Sequence, residues 1–212
     1  LRPNVTERDA VYAIRKKMLE RGASGWDYSS QCLDVKMISA PDTGMSVNEP
    51  LLYPGYAMDM GDRINIKVNA SMNNGWQVSL GRCYVLGKAS DEAKECWMTA
   101  VKAQQTAAAL LKPGATIREI MDQVNAAVLE PAGFLADQSN WIYSVGNAWS
   151  EYPMAVPGWW EVPLKEGMVL AVGPNVKPEN KDPYCCLDVY CVTAEGGVRL
   201  GKCGQELKEL FV

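Results

Sequence analysis

The strongest constraint on the fold lies between Gly61 and Val85. Gly61-Asp62 opens Arg63-Ile64-Asn65-Ile66-Lys67-Val68, in which polar and apolar side chains alternate. A period of two puts successive residues on opposite faces of a half-buried strand. Asn73-Asn74-Gly75 supplies residues suited to a tight hairpin turn, and Trp76 to Val85 returns as the antiparallel partner.

Helical signals flank this hairpin. Thr6 precedes Glu7, Asp9 and an apolar series at Val11, Ala13-Ile14 and Met18-Leu19, which predicts an amphipathic helix closing near Gly22. Ser90-Asp91-Glu92 caps a helix expected over 91–111 and stopped by Lys112-Pro113-Gly114. Thr116-Ile117-Arg118-Glu119 is a capping box opening a further helix that ends before Pro131. Segments 141–145, 168–172 and 187–193 are short strand candidates, and Glu195-Gly196-Gly197 makes a turn. Residues 24–60 are punctuated by Gly, Pro, Ser and Asp and are read as loops with short strands. With no repeat or linker, residues 1–212 are read as one α+β domain.

The chain contains no His, which removes every His-dependent triad, Cys-His pair and His-containing zinc site. A net charge of −4 leaves no basic footprint, so neither nucleic acid nor an anionic membrane surface is an expected partner. No apolar run is long enough to span a bilayer. The seven Cys form no even framework, and reduced, packed thiols in the cytoplasm are the expectation.

Several landmarks, in order, resemble the family of methionine aminopeptidase, aminopeptidase P, prolidase and creatinase. These are Val47-Asn48-Glu49-Pro50, Gly61-Asp62, Gly75-Trp76 with Arg82, Lys112-Pro113-Gly114, Gly146 with Glu151 and Pro153, Leu164 to Val169, and Val192-Thr193 with Gly196. The resemblance covers nearly the whole chain. It implies the pita-bread fold, a curved antiparallel sheet covered by helices with a pocket in its concavity. Residues 1–212 are accordingly expected to be a single pita-bread domain that does not include the amino-terminal domain of the larger relatives, whether as a fragment, a stand-alone subunit or one half of a hetero-assembly.

In that family two Asp, one His and two Glu hold a pair of divalent ions that activate water. Under the resemblance the first Asp falls on Lys67 or Val68, the second on Ser79, the His on Asn147, and the two Glu on Gly173 and Leu187. The proton-handling His positions fall on Val47 and Ser150. Gly, Val and Leu offer no side-chain electron pair. A Lys about 4 Å from a cation costs roughly 4 kcal/mol per unit charge at an intermediate dielectric. No metal and no other cofactor are therefore expected.

Lys67 is a candidate carboxylate anchor or base, set against a solvated sheet-edge Lys. Glu151 is a candidate general acid or base, and Cys185 or its neighbour Cys186 a candidate thiol. Ser79, Asn147, Trp149, Ser150 and Asp188 complete the expected lining, although a lone carboxylate such as Asp188 is more often structural. Trp141, Trp149, Trp159 and Trp160 with Tyr143 and Tyr152 form the densest aromatic group, readable as a ligand cage, an interface or core. Two functions follow. One is a metal-free, non-catalytic member that binds a small molecule or a protein, as a homodimer or with a relative. The other is a metal-independent hydrolase or lyase acting on a small amino-acid-like or amidine-like substrate.

Overall fold

The computed structural model describes residues 1–24, 33–41, 57–72, 76–137, 139–146, 149–154, 157–178 and 183–211. The expected turn at Asn73-Asn74-Gly75, and the positions Val47 and Asn147, lie outside the described residues.

The hairpin is present as β3 (Asp62–Met72) and β4 (Gln77–Leu86), longer at its first strand than the alternating run alone indicated. Their register pairs Lys67 with Gly81 and Asn69 with Ser79. β1 (Ala23–Ser24) and β2 (Leu33–Pro41) both pair with β3, and β12 (Lys208–Leu210) adds in parallel to β4. The nine-residue β2 is longer than the loop-rich reading of its region suggested.

A second sheet has the order β11-β10-β7-β5-β6. Its strands are β5 (Ile142–Val145), β6 (Trp149–Met154), β7 (Val169–Val172), β10 (Asp188–Thr193) and β11 (Gly196–Arg199). β8 (Asn175–Val176) and β9 (Tyr184–Cys185) form a small ribbon. The two large sheets meet along a seam. Gly81 N–H donates to Leu187 O at 2.9 Å, Leu187 N–H returns to Gly81 O at 3.2 Å, and Gln77 N–H donates to Gly146 O at 2.8 Å. A Cβ on Gly81 would lie 2.8 Å from the Leu187 Cβ, so the seam closes only around a glycine.

Among the described residues, three α-helices cover the outer faces. α1 (Glu7–Glu20) is capped by Thr6, whose hydroxyl accepts from Asp9 N–H at 3.1 Å. Its Ala10 packs with Met58, Ile64 and Leu86, so the even-numbered side chains of β3 point toward α1. α2 (Asp91–Leu110) buries Ala93, Trp97, Ala100, Ala103 and Ala107 in the main core with Leu170, Val172 and Tyr190 of the second sheet. α3 (Ile117–Val124) carries the expected capping box and runs into one π-helical turn over Asn125–Leu129. The expected α+β arrangement is the one found, and no helix among the described residues is long and apolar enough to cross a membrane.

Candidate functional site

Strand alternation decides which residues meet between the sheets. On β3 the odd-numbered residues Lys67, Asn69 and Ser71 face inward with Ser79 and Gly81 of β4. Tyr143 of the second sheet confirms this direction. Its hydroxyl donates to Ser79 Oγ at 3.3 Å, and the Lys67 ammonium stands 5.6 Å from its ring centre. Val68 therefore lies on the opposite, α1-facing side of the strand, which corrects its expected place in the lining. The inward position next along the strand is Asn69, whose Oδ1 accepts from Ser79 Oγ at 2.7 Å.

The second sheet meets this polar row with carbon. Tyr143, Val145, Ala171, Leu187 and Val189 form one buried cluster, with Cys185 packed against it. Leu187 is 1% exposed and sits directly over Gly173. A Cβ at Gly173 would come within 2.8 Å of Leu187 Cδ1 and 2.9 Å of Cys185 Sγ. The Cys185 thiol donates to Gly173 O at 3.2 Å, and burial pushes it up to about 11 despite the opposing charge of Lys67.

Asp188, one residue on, points the other way, off this inner face and toward Arg82. It accepts from Arg82 Nη2 at 2.7 Å and from Gln205 Nε2 at 3.0 Å, and Gln104 Nε2 lies 3.3 Å away. Gln205 also donates to Gln104 Oε1. Arg82 bonds four carbonyls of the seam and the carboxy-terminal segment: Gly81 O at 2.7 Å, Leu187 O at 3.0 Å, Cys203 O at 3.1 Å and Gly204 O at 2.6 Å. Burial works against the Arg82 charge, but the Asp188 carboxylate more than offsets this and raises the guanidinium above its usual range. Cys186 lies on this side too, buried with Gln104 and pushed up to about 12 by burial.

Glu151 stands opposite Ser144 and Trp149 opposite Val145 along β6, with Ser150 between them. Of the aromatic group, Trp141 is core, while Tyr152 and Trp159 are exposed and pack edge to face at 5.3 Å. Arg118 stacks over Trp160 at 4.6 Å. Among the described residues, no group of three or more Cys, Asp or Glu is placed to hold a metal ion. Two surface clefts of about 630 and 680 Å³ run along α2, lined by residues other than those of this inner face.

Asn69 is the inner-face residue that the sequence reading passed over, although the same alternation that placed Lys67 also marks it, two residues on. Tyr143 was marked in the sequence as one of the aromatic group, and its bond to Ser79 is what the structure adds.

The model of metallopeptidase family M24 matches residues 1–203 of the chain. An Xaa-Pro dipeptidase of Lactobacillus helveticus is 24% identical over 213 aligned residues, spanning 100% of this chain and 51% of the relative. An Xaa-Pro dipeptidase of Pyrococcus furiosus is 26% identical over 154 residues, 71% of this chain and 42% of the relative. The chain thus spans about half the length of the curated relatives it matches. Among solved structures, an X-Pro aminopeptidase from Thermotoga maritima superposes with a TM-score of 0.85 at 19% identity, covering 99% of this chain and 57% of that one. The Xaa-Pro dipeptidase from Bacillus anthracis gives 0.83 at 22% identity, over 99% of this chain and 56% of that one. The pita-bread fold expected from the sequence landmarks is the fold these neighbours share. With two joined sheets, outer helices and a family match over nearly its whole length, the chain belongs to metallopeptidase family M24.

Proposed function

We propose that this chain is a metal-free, non-peptidase member of the family, keeping the fold as a binding module for a small ligand or a protein partner. The observation that carries the reading is Leu187 packed over Gly173. By resemblance, these two positions carry the family's two metal-ligating glutamates. Here one has no side chain, and the other fills with carbon the room that a side chain at 173 would need. Ser79 commits its proton to Asn69, and neutral oxygens are poor replacements for the carboxylates a hard dication favours. Lys67 adds a positive charge on the same inner face. The residues present do not fit a pair of divalent ions, and no catalytic step is drawn through one.

The metal-independent enzyme reading draws on Lys67, Ser79, Asn147, Glu151 and Cys185. Burial keeps the Cys185 thiol protonated at neutral pH, and a protonated thiol is a poor nucleophile. Ser79 donates to an amide oxygen and has no base to activate it. The binding reading is therefore preferred.

Native mass spectrometry after dialysis against Mn²⁺, Co²⁺ or Zn²⁺ tests it, together with hydrolysis of an Xaa-Pro dipeptide, the substrate type named for the relatives. The expected result is no stoichiometric metal and no turnover. A bound divalent ion at stoichiometry, or metal-dependent hydrolysis, overturns the reading. The same spectra report whether the chain is a homodimer.

A further inference from the structure

We propose that the outer face of β3 and β4 is a docking groove for an amphipathic α-helix of a partner protein, seated as α2 is seated on the other half of the molecule; this names a partner for the binding reading above and rests on it. The structure carries an internal repeat that the sequence reading did not expect. Leu1-Arg2-Pro3-Asn4-Val5-Thr6 matches Leu111-Lys112-Pro113-Gly114-Ala115-Thr116. Asn4 and Gly114 both take a positive φ, 64° and 90°. Asn4 N–H donates to Met58 O at 2.8 Å, and Met58 N–H donates to Val5 O at 3.0 Å. Gly114 N–H likewise donates to Leu164 O at 2.9 Å, and Leu164 N–H to Ala115 O at 2.8 Å. Thr6 then caps α1 as Thr116 caps α3.

The strands repeat in the same way. Gly61 N–H donates to Leu86 O as Gly167 N–H donates to Val192 O. Ile66 stands opposite Arg82 as Val172 stands opposite Asp188, and Ala70 opposite Val78 as Val176 opposite Tyr184. The two halves differ in what covers them. α2, which runs into Leu111, covers the outer side of the second half, where Val172, Tyr184, Cys186 and Tyr190 are buried in the main core. Their counterparts on β3 and β4 are Ile66, Val78, Leu80 and Tyr84. Val78 is 45% exposed and the other three are half-buried. Met121 and Val124 of α3 are fully buried in that core, whereas Val11 and Ile14, at the matching positions of α1, are half-buried.

Among the described residues, no helix stands on the first half where α2 stands on the second. The apolar rows of β3 and β4 make one wall of a groove and Val11 and Ile14 of α1 the other. Exposed apolar surface of this kind marks an interaction site. In the second half, the element that closes the same two walls is a helix with a small apolar face, Ala100, Ala103 and Ala107, which lets its backbone approach the sheet closely. Spacing of small residues by three and four along one side is what a groove-bound amphipathic helix presents. A second copy of the chain does not offer such a helix among its described residues. Its α1 is itself a wall of the groove, and the apolar faces of α2 and α3 are spent in the main core.

The ¹⁵N-labelled full-length chain is titrated with a synthetic peptide of the α2 sequence, Asp91–Leu110, and with the same peptide carrying Ala100→Glu and Ala103→Glu. Saturable shifts at Val11, Ile14, Ile66 and Leu80 are expected with the first peptide and none with the second. Val78→Glu, a change at an exposed position, is expected to weaken binding at least about tenfold. Val198→Glu on β11, also exposed but off this face, leaves binding unchanged. Val78→Ala removes only part of the contact, weakens binding several-fold, and stands as the second variant should Val78→Glu unfold. The proposal is overturned if the peptide gives no saturable shift, if its shifts fall on β7 and β10 instead, or if Val78→Glu binds as tightly as the parent. A dimer in sedimentation that Val78→Glu dissociates assigns the face to a second copy and also overturns it. Stoichiometric metal uptake in the native spectra overturns the reading beneath and leaves the titration standing. A metal-free chain that binds no helix removes this inference alone.

Discussion

Adding one methyl group at Gly173 places it where Leu187 Cδ1 is 2.8 Å away and Cys185 Sγ is 2.9 Å away, with Leu187 Cβ at 3.0 Å. Gly173→Ala is therefore an overpacking change, expected to cost about 1–3 kcal/mol. Leu187→Ala is the opposite perturbation at the same spot. Leu187 is fully buried, and losing three carbons at about 0.8 kcal/mol each removes roughly 2.4 kcal/mol of transfer energy. The cavity left between Tyr143, Ala171 and Val189 brings the total to about 3–4 kcal/mol. In the double variant, the new methyl group enters the space that Cδ1 vacated. The two costs are then not additive, and the pair is expected to be at least about 1 kcal/mol more stable than their sum. Urea unfolding of the four proteins measures this directly, with the slope m unchanged if only the native state is affected. Additivity within about 0.5 kcal/mol, or a neutral Gly173→Ala, would refute the claim that Leu187 occupies the space above residue 173.

Two further predictions concern the other face of β10. Asp188→Asn leaves the Arg82 guanidinium buried without its counter-charge, and a loss of about 3–5 kcal/mol in urea unfolding is expected; a loss below about 1 kcal/mol would show that the pair contributes little. Burial raises Cys186 from 9.0 to about 12 and Tyr190 from 10.0 to about 12, so the folded state holds their protons longer than the unfolded chain does. Their stabilisation is complete below about pH 9 and is lost as pH rises toward 12, with a slope approaching about 1.4 kcal/mol per pH unit for each titrating group. Urea midpoints that stay flat between about pH 9 and 11 would contradict this sign.

What the sequence determined by itself is local. The β3–β4 hairpin, the three capped helices and the strands at 142–145, 169–172 and 188–193 were legible because period and capping are properties of neighbouring residues. The ordered landmarks carried the fold, and with it the positions where metal ligands would stand. Alternation alone, however, cannot say which side of a strand faces in. It left Lys67 and Val68 as equals, and only Tyr143 and α1, packed on opposite faces of the sheet, separated them. The tertiary structure also turned Asp188 away from the inner face, toward an Arg82 lying 106 residues earlier. It paired Asn69 with Ser79 and set Leu187 over Gly173, contacts made across strands and across the seam. A contact between residues distant in sequence owes its energy to burial and hydrogen bonding after the chain has closed. No window of neighbouring residues records it.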